Sequence, residues 1–411
     1  MLDLLQGLPL ALTQAGAYIG EMKVSASTYA KHYNQTWGRL MEKQGRFPPE
    51  EYGDRSVLTT WTVSYEQVQR QSEAAAWLLK LWGFLDSREL WYELIAAGEA
   101  LAEKTNVPTW LCEIAKSGLE FAEAAGLLCR YSLADGKEDT EGYSMHAVLH
   151  QWCGQLTEGQ ERHDLCCVAA GLVAANVPME RDAESWTRRK RLLLHGMSVS
   201  KWINEGHVDA EKATEALLWP WQYYSLGYLL ADEDQQEAMK LYERALQGYE
   251  EAWGEEHTST LNTVNNLGNL YAALGQHREA EEMYKRALEG YARAVGSNRF
   301  STYVPALDTM WAQGCLSESL GRVDEARAWY FKALSGYEAV FGTEYSKCQP
   351  LRDNLAALER AKTKSSVPVR TKSAQGGEDM SNIGGAVIAS RQVQIESPSR
   401  RHRILGKLLR K

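Results

Sequence analysis

AEEMYKRALEGY (280–291) is one of three near-copies of a single phrase. The others are AMKLYERALQGY (238–249) and ARAWYFKALSGY (326–337), and the spacings are 42 and then 46 residues. Self-similarity at such a period marks a helical solenoid, in which a unit cannot bury its own apolar face and stacks on its neighbours. Such an array presents a surface to partners and rarely carries a catalytic site.

The middle unit, 261–294, shows how the pattern works. Leu267 and Gly268 fall in a first helix, followed by Tyr271, Leu274 and Gly275; Ala280, Tyr284 and Ala287 fall in a second. Small residues at 268, 280 and 287 let two antiparallel helices approach, Tyr284 fills the space between them, and Gly275 makes the turn. The third unit keeps Gly314, Gly321, Ala326, Tyr330 and Ala333 but departs at Gln313 and Ser317. The first keeps Gly227, Ala238, Tyr242 and Ala245, with a turn one residue shorter. Leu355 and Ala356 start a fourth unit that lacks a second helix and reads as a cap. The pattern closely resembles the tetratricopeptide repeat, in the longer-period variant of kinesin light chains and many fungal repeat proteins. The expected fold is mainly all-α.

In such repeats the first helices line the groove. Asn262, Asn265, Asn266 and Asn269 fall at i, i+3, i+4 and i+7, on one face of one helix. Asparagine both donates and accepts, so a column of them can pair with the backbone of an extended peptide whatever its sequence. The kinesin-light-chain-like resemblance implies that use here. The plain alternative is a solvated polar face. Flanking first helices offer Trp221, Tyr224 and Tyr228 on one side, and Asp308, Trp311 and Glu318 on the other. Aromatic residues there would anchor a partner's side chains, or Trp221 and Tyr224 would pack on the preceding helices.

Upstream, residues 1–45 read as helical, with Ser25 or Ser27 as an N-cap, and RFPPEEYGDRS (46–56) reads as a loop. A continuous helical pattern is expected from Val57 to Leu85, and helical segments at 113–128 and 145–156 flank a hairpin. Its strands are expected at CRYSLAD (129–135) and EGYSMHA (141–147), joined through DGKEDTEG (135–142). Helices followed by a hairpin suggest a winged-helix unit. GLPLALTQAGAYI (7–19), VLTTWTVSYEQV (57–68), YSMHAVLHQW (143–152) and SWTRRKRLLLHG (185–196) in succession resemble the carboxyl-terminal half of fungal NB-ARC (STAND, NLR-like) switch proteins. The resemblance implies an ARC-like helical segment at 1–55, incomplete as a nucleotide-binding module, and a winged helix at 56–157. A helical linker at 158–219, a repeat solenoid at 220–361 and a disordered basic tail at 362–411 complete the division.

That family is a nucleotide-gated switch, closed by ADP and opened by ATP. The resemblance equates Pro9 with the proline that packs on adenine and His146 with the histidine that reaches the β-phosphate. No GxxxxGK(S/T) occurs, and the family's aspartate after the histidine is Ala147. Without that loop the phosphates lose their backbone cradle and lysine. No cofactor is therefore expected, ADP or ATP entering only if an upstream P-loop module is supplied. The chain reads as the carboxyl-terminal part of such a switch, from a truncated product or an incomplete gene model. The alternative to a free-standing scaffold is thus the sensor and lever half of an immunity- or cell-death-type signalling switch.

The remaining chemistry is sparse. His146, His150 and Cys153 share one helical face, but the second position of an H-E-x-x-H is Ala147, so no metal site is expected. No G-x-S-x-G, C-x-x-C or G-x-G-x-x-G occurs, and no enzyme is expected. Seven scattered cysteines suggest reduced thiols and a cytoplasmic location; the amino terminus, with Asp3 in place of a basic stretch, is a poor signal peptide. Residues 362–411 hold 11 Lys/Arg against three acids, which leaves 34 basic and 51 acidic side chains in 1–361. A body of net −17 would repel nucleic acid, and RRKR (188–191) reads as a helix face beside acids. In SRRHRILGKLLRK (399–411), Ile404, Leu405, Leu408 and Leu409 share one face amid basic residues. That pattern fits weak contact of the 400–411 tail with an anionic membrane, or nuclear import, or a solvated end. The expected partner is a protein or peptide, or a second copy of the chain.

Overall fold

Serines, prolines and glycines that interrupt the apolar periodicity set where the helices begin and end. The computed structural model describes residues 4–5, 8–42, 55–102, 107–179, 183–207 and 220–365. Among them lie 18 α-helices, one π-helical turn and two short strands, so the fold is all-α in the main. Two compact units part between Leu241 and Tyr242. Most of the expected disordered tail, from 366 on, and most of the expected 46–56 loop lie outside the described residues; 362–365 belong to the last helix, and Arg55 and Ser56 to another.

In the first unit, α1 (Pro9–Met22) opens on a proline, whose missing N–H would have had no partner there. Ser25 caps α2 (Ala26–Glu42): its Oγ accepts from the Thr28 N–H at 3.1 Å. The stretch expected as one helix from Val57 to Leu85 is two, α3 (Arg55–Gln71) and α4 (Glu73–Trp82). The break is Ser72, whose extended backbone lets its hydroxyl accept from Ala75 N–H at 3.1 Å. After α5 (Tyr92–Ala102), the same device divides 113–128. α6 (Thr109–Lys116) stops, and Ser117 caps α7 (Gly118–Arg130) through Glu120 N–H.

The hairpin is present but shifted. β1 is Asp135–Lys137 and β2 is Gly142–Ser144, antiparallel, with Gly136 opposite Tyr143. Of the expected first strand, 129–135, only Asp135 is in β1; 129–130 end α7 and 131–134 form a turn and bend, in which Leu133 and Ala134 are buried. The expected turn supplies most of the pairing residues. Leu90 pairs with the other edge of β2, exchanging two 2.7 Å bonds with Tyr143.

Next come α8 (Ala147–Cys153), α9 (Gly159–Asn176), α10 (Ala183–Trp202), a π turn (Ile203–His207) and α11 (Pro220–Leu230). α12 (Gln235–Trp253) contains the division between the units. The first unit's core centres on Trp61, Trp82, Phe84 and Trp152, with Trp61 and Trp152 rings 5.7 Å apart. A Cβ on Gly83 would come within 2.6 Å of the Gly154 backbone, so two chain segments touch there. His195 is buried against Trp91, and its Nδ1 accepts from Asp86 N–H at 3.1 Å. Burial lowers its pKa to about 4. The basic run is partly paired: Arg191 meets Glu89 at 2.8 Å and Arg189 meets Asp232 at 3.5 Å.

The second unit comprises α13 (Thr258–Ala273), α14 (His277–Val295), a short α15 (Ser297–Phe300), α16 (Val304–Ser319), α17 (Val323–Phe341) and α18 (Cys348–Ser365). α13 pairs with α14, α16 with α17, and α18 packs on α17. Gly275 and Gly321, at φ 77° and 74°, make the equivalent turns in a left-handed conformation that only glycine adopts cheaply. No helix among the described residues is long and apolar enough to cross a membrane.

Candidate peptide-binding face

Each helical hairpin of the second unit is locked by ring against glycine. A Cβ on Gly268 would lie 2.8 Å from the Tyr284 ring, and one on Gly314 would lie 2.6 Å from Tyr330. At the other end, Gly290 admits Leu261 and Gly336 admits Leu307. Tyr284, Tyr291, Tyr330 and Tyr337 are all fully buried. A buried phenol needs a partner for its hydroxyl, and each finds one on the first helix of its hairpin.

Those partners form the polar stripe. Tyr291 donates to Asn262 Oδ1 at 2.6 Å and Tyr284 to Asn269 Oδ1 at 2.8 Å. Thr309 donates to Asn265 Oδ1 at 2.8 Å, and Asn266 Nδ2 donates to the Tyr242 hydroxyl at 3.2 Å. All four asparagines are half-buried. In the next hairpin the same tyrosines meet acids: Tyr330 donates to Glu318 at 2.6 Å, and Tyr337 to Asp308. Lys347 also pairs with Asp308. Burial, reinforced by Cys315 and Glu318, raises the Tyr330 pKa far above that of a free phenol; burial and then Asp308 do the same for Tyr337.

The side chains read from the sequence thus fall into three groups. Asn262, Asn265, Asn266 and Asn269 stand together on α13, with Asp308 on α16; tyrosine hydroxyls hold all but Asn265, which Thr309 holds. Trp311 does not line an open groove. It is 5% exposed, in the core with Tyr330 and Tyr337, its ring 6.5 Å from that of Tyr337. Packing of α16 on α17 draws it inward. Tyr224 and Tyr228 lie on α11 in the first unit; Arg189 stacks over the Tyr228 ring at 4.7 Å and donates to its carbonyl.

Pro9 and His146 are exposed helix-end residues of the first unit. Pro9 opens α1, and His146 Nδ1 caps α8 by accepting from Val148 N–H at 3.3 Å. His150 spends its Nε2 on the carbonyls of Trp82 and Leu85, at 3.0 and 2.8 Å. Cys153 is buried, which raises its thiol pKa. Among the described residues no group of three or more His, Cys, Asp or Glu is placed to hold a metal. Burial likewise pushes the Cys167 and Cys315 thiols up to about 12, far from nucleophilic readiness.

Sequence reasoning missed the tyrosine hydroxyls, Thr309 and Lys347 as parts of this face. The signal was available in one place: the repeated phrase ends in tyrosine in all three copies, where a phenylalanine would fill the same space.

No curated protein matches the chain. Among solved structures, the crystal structure of BtubC (BKLC) from P. vanneervenii is similar at 19% identity and a TM-score of 0.34, over 53% of this chain and 89% of that one. Residues 222–293 match the family model described as Tetratricopeptide repeat, a protein-interaction fold rather than a catalytic one.

Proposed function

We propose that the protein is a non-enzymatic interaction scaffold whose second unit holds an extended peptide segment of a partner along α13. The supporting observation is the state of the asparagines. Hydroxyls of Tyr284 and Tyr291 occupy the oxygens of Asn269 and Asn262, which fixes both amide groups and leaves each Nδ2 for a ligand. Seven helical residues separate the two, about 10 Å along the axis. In an extended chain of polyproline-II form, carbonyls three residues apart point the same way and lie about 9 Å apart, close to that spacing. Donors fixed in advance lose little entropy on binding, and backbone carbonyls are present in any peptide.

The experiment is a peptide display selection against the full chain, followed by titration of the selected peptides against Asn262→Asp/Asn269→Asp, which keeps an oxygen for each buried tyrosine hydroxyl, as Asp308 and Glu318 do in the next hairpin, and removes both amide donors. Two lost hydrogen bonds predict about a tenfold or greater drop in affinity with unchanged thermal stability. Undiminished affinity of every selected peptide for the double variant would sink the proposal.

A further inference from the structure

Between α14 and α17 the second unit carries an open groove of about 700 Å³. Leu288, Phe300, Met310 and Trp329 line it, and Phe331 stands at its side 63% exposed. Its few polar groups include Glu289 and Lys332. Glu282, Glu325 and Glu338 lie along the same two helices. An apolar groove with an exposed phenylalanine is a surface that burial would stabilise. It is distinct from the asparagine stripe, and the inference does not depend on how that stripe is used.

We propose that the groove is occupied by residues 400–411 of the same chain, docked as an amphipathic helix. Ile404, Leu405, Leu408 and Leu409 would present one apolar ridge about 8 Å long to it. Arg400, Arg401, Arg403, Lys407, Arg410 and Lys411 would meet Glu289 at the groove and the net acidic surface of this unit around it. The charges match: residues 242–361 carry 17 acidic and 12 basic side chains, whereas 362–411 carry 11 basic and three acidic.

The exit of the chain matches as well. Leu358 sits in the core cluster with Tyr330, and Glu359 pairs with Arg327 at 3.0 Å, one turn before Phe331. The stretch of α18 about two turns before its last described residue is therefore held against the start of the helix that forms one wall of the groove. Residues 366–403 supply 38 links, a coil of about 35 Å, more than twice the 15 Å or so that the α17 wall extends. Tethering at that length gives a millimolar effective concentration, so even a weak helix–groove contact is populated.

The test uses the full chain with Leu408→benzoylphenylalanine, irradiated and mapped by peptide mass analysis. The expected cross-links fall within 288–302 or 329–339 or at Met310, in a species of monomer mass, at the lowest and highest workable concentrations alike. Phe331→Asp should cut their yield about tenfold or more without moving the unfolding midpoint, because Phe331 is exposed. The reciprocal change, Ile404→Asp with Leu405→Asp, should do the same from the tail side and leaves the groove intact. Cross-links elsewhere on the chain would overturn the proposal, as would cross-links only between two copies. So would a monomer yield indifferent to both variants, or cross-linking absent in solution while the chain sediments with anionic vesicles.

Discussion

Gly314 and Gly16 show how the same residue type takes opposite signs. A Cβ at 314 would sit 2.6 Å from the Tyr330 ring, which is fully buried and bonded through its hydroxyl. Gly314→Ala should therefore cost about 2 kcal/mol of the second unit's stability. Gly16 is exposed in mid-α1 with nothing within 4 Å of its added Cβ. Gly16→Ala should stabilise by roughly 0.5–1 kcal/mol. Denaturant titration of both variants checks the pair, and equal effects would refute the packing account. The small residues and ring-filling tyrosines of the repeats were legible in the sequence, because spacing fixes which side chains face each other. The destination of each tyrosine hydroxyl was not legible, since periodicity says where a side chain points and not which atom receives its proton. Trp311 failed for a related reason: α16's own pattern does not reveal that α17 covers it.

Helix existence was readable and helix breaks were not. The 57–85 run keeps its apolar spacing straight through Ser72, yet the chain turns extended there and starts a new helix. The hydroxyl of Ser72 satisfies a backbone N–H that the first turn of α4 would otherwise leave unpaired. Ser72→Ala should cost about 1 kcal/mol, measured by urea unfolding, whereas Ser72→Asp should restore most of it as an alternative cap. A loss shared equally by both replacements would mean that the cap is not the cause. Ser117 offered a clearer cue, because Glu120 follows at the spacing of a capping box. The hairpin's shift has another origin. Its first strand was expected at 129–135, but Tyr131, Leu133 and Ala134 are buried in a turn that follows α7, and only Asp135 pairs.

For the chain as a whole, acid sensitivity should follow from one imidazole. His195 titrates near 4 when folded, against an ordinary value of 6.5. Between those values the unfolded chain takes up a proton that the folded chain refuses. Stability is thus intact above pH 6.5 and falls by about 3 kcal/mol as pH drops to 4. Asp86, Glu89 and Arg191 are the charged groups that act on it. Denaturation followed across that range should lose about one proton of pH dependence in His195→Gln; an unchanged slope would assign the effect to carboxylates. The division inside α12 was invisible to repeat counting, because a period registers copies and not which side chains of a copy pack together.

The tyrosines pinned beneath the asparagines and acids also make the repeats their own optical gauge. Burial holds the phenols of Tyr284, Tyr330 and Tyr337 neutral well past the pH at which free tyrosine ionises. Their stabilising contribution is complete below pH 10 and is withdrawn in stronger alkali, where only the opened chain can release those protons. Ultraviolet absorbance from their phenolates therefore records the opening of this half of the molecule, with no dye attached.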